Sequence, residues 1–147
     1  MYLEEAVEEA KKGTNQKEGG PFGAVIIDKN GKVIAKAHNE VLKKNDPTAH
    51  AEIEAIRKAC QILNAKDLSN CTIYSTCEPC PMCLSAIIWA NIKTVYYGSN
   101  RQDAKAAGFK DDDIYQYLAG KNQLLEKQEL ENKSCKDLFI NYNGERY

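Results

Sequence analysis

The strongest constraint on the fold of this chain comes from two short motifs that must meet in space. One is Thr48-Ala49-His50-Ala51-Glu52, and the other is the run from Thr76 to Cys83, which contains a Cys-x-x-Cys pair. Two thiolates at this spacing can bind a single tetrahedral ion from one turn of chain, and a histidine from elsewhere supplies a third ligand. We therefore expect a fold that brings His50 against Cys80 and Cys83 around one zinc ion.

Three protein ligands would leave the fourth position of the ion for water, and Glu52 is placed to act on that water. A carboxylate that is not itself a ligand can take a proton from the water and pass it to a substrate. The alternative is a closed structural site with Cys77 as the fourth ligand, because the motif reads Cys-x-x-Cys-x-x-Cys. A structural site gives no reason for a glutamate beside His50, so we favour the catalytic site.

Composition predicts one globular domain that acts on a small or locally bound substrate. The chain has 147 residues, is 43% hydrophobic and carries a net charge of −1. That length suffices for one core, so we expect a single domain over residues 1–147. The charge lacks the basic bias of proteins that bind many phosphates, which disfavours nucleic acid as a partner. No membrane-spanning run or signal peptide is evident, so we expect a cytoplasmic protein without a structural disulfide.

The first part of the chain predicts a helix followed by an antiparallel hairpin. Apolar residues from Leu3 to Ala10 fall on one stripe of a helix that ends near Gly13. The run Ala24–Ile27 suits a strand that is buried on both faces. Asn30-Gly31 then predicts a tight turn into a second strand at Val33–Ala35.

The first metal motif is predicted to lie near the start of a helix. The polar stretch Asn39–Asp46 is expected to be a loop, and Asp46-Pro47 is expected to begin the helix, with aspartate as the N-cap. Residues two apart on a helix face nearly opposite sides, so His50 and Glu52 can share one site only if the helix end points at it. The buried stripe is predicted to contain Ile53, Ile56, Cys60 and Leu63, with Glu54 turned outward.

Two further strands flank a second helix. Cys71–Ser75 and Ile92–Tyr97 read as strands, and Pro81–Ala90 reads as a helix that is apolar nearly all round and therefore buried. Successive strand–helix–strand units favour parallel pairs, so we expect an α/β fold, a three-layer α/β/α sandwich whose mixed central sheet starts with an antiparallel hairpin. Weaker signals predict short helices at Asp103–Ala107, Asp112–Leu118 and Ser134–Asn141.

Several stretches together carry a family resemblance. They are Pro21-Phe22-Gly23-Ala24, Asn45 to Glu52, Cys77 to Cys83, Ala106-Ala107-Gly108-Phe109 and the terminal Glu145-Arg146-Tyr147. With them the chain resembles the cytidine-deaminase-like superfamily, and within it the small zinc-dependent bacterial guanine deaminases. The resemblance covers nearly the whole chain.

The resemblance implies a set of site residues and an activity. The implied roles are zinc ligands for His50, Cys80 and Cys83, proton shuttle for Glu52, purine contacts for Asn39 and Asp111, and pocket closure for Tyr147. One Zn²⁺ per subunit, with a bound water or hydroxide as nucleophile, would convert guanine to xanthine and ammonia in purine salvage. A carboxylate at Asp111 matches the two hydrogen-bond donors of guanine, its N1 hydrogen and its exocyclic amine.

The resemblance also implies a homodimer in which the C-terminal segment, about residues 121–147, reaches the neighbouring subunit. Tyr147 would then serve the partner's site. The alternative activities are a transfer-RNA adenosine deaminase, or a deaminase of cytosine, guanosine or a triazine. The longest basic runs, Lys11-Lys12 and Lys43-Lys44, are short for a protein that holds an RNA loop. A zinc-stabilised binding module without catalysis is the alternative from another class.

Overall fold

The computed structural model describes all 147 residues. In chain order the elements are α1 (Tyr2–Asn15), β1 (Gly23–Ile27), β2 (Val33–His38), α2 (Val41–Lys44), α3 (Ala51–Leu63), β3 (Thr72–Cys77), α4 (Pro81–Trp89), β4 (Val95–Ser99), α5 (Arg101–Ala106), α6 (Asp111–Leu118) and α7 (Lys133–Ile140). No helix combines the length and the apolar character needed to cross a membrane.

The four strands form one mixed sheet in the order β2-β1-β3-β4. Strand β1 is antiparallel to both β2 and β3, and β3 is parallel to β4. The predicted hairpin at Asn30-Gly31 is confirmed, with Gly31 at a positive φ of 81°. Since β2, β3 and β4 all run in the same direction, their carboxyl ends meet at one edge of the sheet, which is where α/β folds commonly place their ligands.

Helices cover both faces of the sheet, so the predicted three-layer arrangement is confirmed. All residues of β1 are buried, as expected for a strand between two layers. On one face Val25 and Ile27 pack with Ala6 of α1. On the other face the larger core joins Ala24, Ile26 and Ile73 to α3 and α4, and its alanines Ala51, Ala55 and Ala59 let α3 approach the sheet closely.

The start of the helix that carries the first metal motif was predicted wrongly. Helix α3 begins at Ala51 with His50 as its N-cap, whereas Asp46 accepts hydrogen bonds from Thr48 N at 2.8 Å and Thr48 Oγ1 at 2.7 Å. This local turn competes with the helix for the aspartate oxygen. The expected loop before it also contains the short helix α2, which ends at Asn45 in the left-handed conformation. Because α3 begins only at Ala51, its amino end points at the site, which lets His50 and Glu52 share it.

The predicted burial of α3 and α4 was wrong in part. Glu54 is buried rather than exposed, because Lys44 and Arg57 neutralise it at 2.6 and 2.8 Å, whereas Leu63 is exposed. Helix α4 packs one side against the core and leaves Ile88 and Trp89 63% and 65% exposed. An apolar composition therefore did not mean burial on all sides.

The three short helices predicted after Gly98 are present as α5, α6 and α7, with ends shifted by one or two residues. From Leu118 to Tyr147 every residue except Asp137 is exposed. Phe139 of α7 is 84% exposed. The C-terminal segment therefore contributes little to the core of its own chain.

Candidate active site

The two metal motifs meet at the amino ends of α3 and α4. His50 is the N-cap of α3, Cys80 is the N-cap of α4, and Cys83 lies in the first turn of α4. The Nδ1 atom of His50 lies 3.6 Å from Cys80 Sγ and 3.5 Å from Cys83 Sγ. Zinc–ligand bonds of about 2.3 Å to sulfur and 2.0–2.1 Å to nitrogen, at tetrahedral angles, put nitrogen and sulfur roughly 3.6 Å apart. These three side chains therefore fit one zinc ion.

The helix ends also favour ionised thiols. Neither N-cap uses its side chain to cap the helix, so free amide hydrogens and the positive ends of both helix dipoles face the site. Hydrogen bonds from Cys83 and His50 lower the pKa of Cys80 to about 4, against the opposing effect of burial. The hydrogen bond with Cys80 and burial together raise the pKa of Cys83. Binding a divalent cation would replace that proton and ionise the second thiol.

Cys77 is not part of the ligand set. The cluster of potential metal ligands contains His50, Cys80 and Cys83, and the Cys77 sulfur instead lies 3.7 Å from the carbonyl oxygen of Asn100. Burial raises the pKa of the Cys77 thiol, which favours its protonated form. The structure thus supports three protein ligands rather than the closed four-ligand site that the sequence left open.

Glu52 lies beside the ligands and is only 5% exposed. It follows His50 in the first turn of α3 and lines the same cavity, but is not part of the ligand cluster. Burial raises the pKa of its carboxyl group to about 7. A carboxyl group that titrates near neutrality can both accept and donate a proton during a reaction, which is the property expected of the predicted shuttle.

A cavity of about 360 Å³ opens next to His50 and Glu52. This volume is near the lower end of the roughly 300–1,000 Å³ range of small-molecule sites. Phe22 and Phe109 line it and form an edge-to-face pair with centroids 4.8 Å apart. The cavity therefore offers apolar walls to a small, flat ring. These two phenylalanines were not recognised as site residues, because only the family resemblance marked their stretches.

Asn39 lines the cavity and its orientation is fixed. Its Oδ1 accepts hydrogen bonds from the backbone N–H groups of Gly20 at 3.3 Å and Val41 at 3.1 Å. Because both partners are donors, the oxygen must face them and the Nδ2 amine must face away. No buried side-chain nitrogen or oxygen in the chain lacks a partner, so Nδ2, which donates to no group of the protein, is accessible from the cavity. Asn39 thus presents hydrogen-bond donors to a ligand.

Asp111 begins α6 and also lines the cavity. Burial, and then the negative charge of the Cys80 thiolate, raise the pKa of its carboxyl group. It forms no ion pair, whereas the next residue, Asp112, is buried between Arg101 at 3.6 Å and Lys105 at 3.5 Å. The Asp111 oxygens are therefore acceptors that the cavity offers to donors of a ligand, without competition from a cation of the protein.

Tyr147 does not line the cavity of its own chain. Its ring packs on Trp89 with centroids 5.9 Å apart, and the neighbouring Glu145 lies 3.2 Å from Lys66. Its expected role in a partner's site stays a prediction. The structure brings together His50, Cys80, Cys83, Glu52, Asn39 and Asp111, and adds Glu78, Phe22 and Phe109 as lining residues.

Comparison with known proteins agrees with this geometry. The family model for the cytidine and deoxycytidylate deaminase zinc-binding region matches residues 1–99. The guanine deaminase of Bacillus subtilis (strain 168) is 54% identical over 117 residues, which are 80% of this chain and 74% of that protein. A tRNA-specific adenosine deaminase of Aquifex aeolicus (strain VF5) is 45% identical over 98 residues, 67% of this chain and 64% of that protein.

Among solved structures, the X-ray structure of guanine deaminase from Bacillus subtilis matches with a TM-score of 0.87 and 42% identity, over 99% of this chain and 96% of that chain. The predicted relationship is thus confirmed at the level of sequence and of fold. The chain belongs to the cytidine and deoxycytidylate deaminase family of zinc-dependent hydrolases, which act on carbon–nitrogen bonds.

Proposed function

We propose that this protein hydrolyses guanine to xanthine and ammonia. The observation that carries the proposal is the Asp111 carboxylate, which lines the cavity without a cation partner. Guanine offers two adjacent donors, the N1 hydrogen and the exocyclic amine, and a carboxylate is the matching acceptor. The similarity to guanine deaminase of Bacillus subtilis, in sequence and in structure, supports the same substrate.

The position of the donors distinguishes guanine from the other bases. Hydrolysis at C2 of guanine requires a proton on the ring nitrogen N3. The ring nitrogen on the other side of C2, N1, carries a hydrogen and is a hydrogen-bond donor. Hydrolysis at C6 of adenine requires a proton on N1. On the other side of C6 lies C5, which is bonded to the hydrogen-bond acceptor N7. Cytosine, attacked at C4, carries only a C5–H there. A carboxylate facing that side of the attacked carbon therefore favours guanine over both alternatives, since unmatched polar groups in a closed site are costly.

Each residue of the site has a separate role in the proposed reaction. When bound, zinc would activate a water for attack on C2. Glu52 would accept a proton from the attacking water and give it to N3, and would then pass the second water proton to the amine nitrogen, which would leave as ammonia. Asn39 donates to an acceptor of the base and Asp111 accepts from N1–H. Phe22 and Phe109 contact the flat ring and keep bulk water from it.

A panel of substrates tests the proposal. The zinc-loaded protein is incubated with guanine, guanosine, adenine, cytosine, an aminated triazine and an adenosine-containing RNA hairpin, and ammonia is measured. We expect release from guanine above all others. Release from the RNA hairpin alone would overturn the substrate and favour the activity named for the Aquifex aeolicus relative. Release from none would overturn the proposed enzyme activity.

We further propose that the active form is a homodimer in which the C-terminal segment serves the neighbouring subunit. The exposed apolar residues Trp89 and Phe139, and the exposure of nearly all of residues 118–147, support this arrangement. Mixing Glu52→Gln and Tyr147→Ala subunits tests it. If Tyr147 acts across the interface, the hybrid contains one site with both residues intact and recovers part of the activity. Absence of recovery in a confirmed hybrid would contradict the exchange.

A further inference from the structure

Helix α6 is attached directly to the segment that holds the metal ligands. It begins with Asp111, and one turn later the Tyr115 hydroxyl donates a hydrogen bond of 2.5 Å to the carbonyl oxygen of Pro79. Pro79 immediately precedes the ligand Cys80. A single side chain therefore joins the helix that presents the base-contacting carboxylate to the loop that presents a zinc ligand.

Arg101, the first residue of α5, supports this connection. Its guanidinium lies 4.3 Å from the centre of the Tyr115 ring, its backbone N–H donates to Glu78 Oε1 at 3.2 Å, and its Nε lies 3.6 Å from Asp112 Oδ1. Arg101 thus contacts the metal loop, Tyr115 and the start of α6. The relative position of these segments is held by a connected set of contacts rather than by one bond.

The Tyr115 hydroxyl remains a donor at every pH at which the enzyme would work. Tyr115 is half-buried, and burial together with the nearby charge of Glu78 raises its pKa to about 12. It does not line the cavity. Any effect of Tyr115 on a substrate must therefore pass through the segments that it joins.

We propose that Tyr115 is a positioning residue that sets the distance between Asp111 and the zinc ligands, and so holds guanine in register with the attacking water. This inference rests on the proposed function, because it takes Asp111 as a contact of guanine. Displacement of a reacting group by about 1 Å can cost on the order of 100-fold in rate. A shift of this size in Asp111 relative to the zinc ligands would therefore be measurable in kcat/KM.

The test compares Tyr115→Phe with Tyr117→Phe. Tyr117 is on the same helix, is also half-buried, and its hydroxyl makes no hydrogen bond, so it provides a matched control. Zinc content, thermal stability, kcat and KM for guanine are measured for both variants. We expect Tyr115→Phe to retain one zinc per subunit and to lose roughly 10- to 100-fold in kcat/KM, whereas Tyr117→Phe resembles the wild type.

A binding measurement separates positioning from stability. In a Glu52→Gln background, which does not turn over substrate, Tyr115→Phe should raise the Kd for guanine about three- to tenfold, as expected for the loss of one hydrogen bond. If Tyr115 acts through Asp111, Tyr115→Phe causes no further loss of guanine affinity in a protein that already carries Asp111→Asn. If Tyr115→Phe does not fold, Arg101→Lys is measured in the same way, because lysine keeps the charge but loses the stacked plane.

The outcomes are distinguishable. A Tyr115→Phe protein with lower thermal stability but unchanged Kd and kcat/KM would show a purely structural role and overturn the inference. Full additivity with Asp111→Asn would also overturn it. Failure of the wild-type protein to hydrolyse guanine would instead overturn the proposed function, on which the inference depends.

Discussion

Replacement of Asn39 by aspartate tests the polarity of the cavity with almost no change of shape. The Asn39→Asp side chain keeps an oxygen that can accept from the backbone N–H groups of Gly20 and Val41. The atom that faces the cavity, however, changes from a donor amine to a second, negatively charged acceptor. The local fold should persist while the recognition of an acceptor on the base is lost.

The expected decrease in kcat/KM follows from two free-energy contributions, the loss of one hydrogen bond and the cost of an unmatched acceptor. The hydrogen bond from Nδ2 contributes about 0.5–1.5 kcal/mol, and an acceptor of guanine left facing a carboxylate costs about 1–3 kcal/mol more. The sum, about 1.5–4.5 kcal/mol, corresponds to a decrease of roughly 10- to 1,000-fold in kcat/KM for guanine, at 1.4 kcal/mol per factor of ten. Asp111 already places a carboxylate in the same cavity, so we expect the upper part of this range.

The assay is steady-state ammonia release from guanine, together with zinc content and thermal stability. Asn45→Asp is the matched control, because it introduces the same charge at an exposed residue that does not line the cavity. We expect the control to retain wild-type kcat/KM. An Asn39→Asp protein that folds, binds zinc and keeps kcat/KM within a factor of two to three of the control would refute the assigned orientation of Asn39.

Three further predictions follow. Glu52→Gln should retain zinc, measured by elemental analysis, and lose roughly 10²- to 10⁴-fold in kcat, the usual contribution of a proton-transferring group; retained turnover would contradict its role. His50→Ala should lose zinc as well as turnover, because one of three ligands is removed, and full zinc occupancy would be the contrary result. Glu54→Gln should lower the free energy of unfolding by about 1–2 kcal/mol, because it breaks the pairs with Lys44 and Arg57. Burial alone would raise the pKa of Glu54, but Lys44 and Arg57 lower it below its ordinary value of 4.5. The ion pairs therefore stabilise the folded chain at neutral pH, and this stabilisation is lost as the pH falls through the lowered pKa. Urea unfolding should therefore show a difference between wild type and variant at pH 7 that shrinks in acid, and a constant difference would argue against the ion pairs.

The metal centre could be predicted from the sequence because its chemistry is encoded in local spacing. Cys80 and Cys83 are brought together by one helical turn, and His50 must join them for the ion to be held. The position of the helix start could not be predicted in the same way. Asp46 satisfies both N-cap and local-turn patterns, and only the competition with Thr48 in the folded chain decides between them.

The walls of the cavity and the junction with α6 depend on contacts between distant parts of the chain. Phe22, which precedes β1, contacts Phe109, which lies between α5 and α6. The hydrogen bond between Tyr115 and Pro79 likewise joins segments far apart in sequence. No periodicity or short motif marks such pairs, since the spacing that creates them is set by the tertiary fold. The exposed face at Ile88 and Trp89 was missed for a related reason, because apolar composition does not show which side of a helix meets the core.

Product formation from guanine by protein of known zinc content tests the proposed activity and its dependence on the metal together. The protein is stripped of metal, titrated with zinc, and assayed for xanthine and ammonia at each ratio. We expect equal amounts of both products, activity that saturates at one zinc per subunit, and no products from the stripped protein. Undiminished turnover after complete removal of zinc, or full zinc binding without any xanthine, would contradict the proposal.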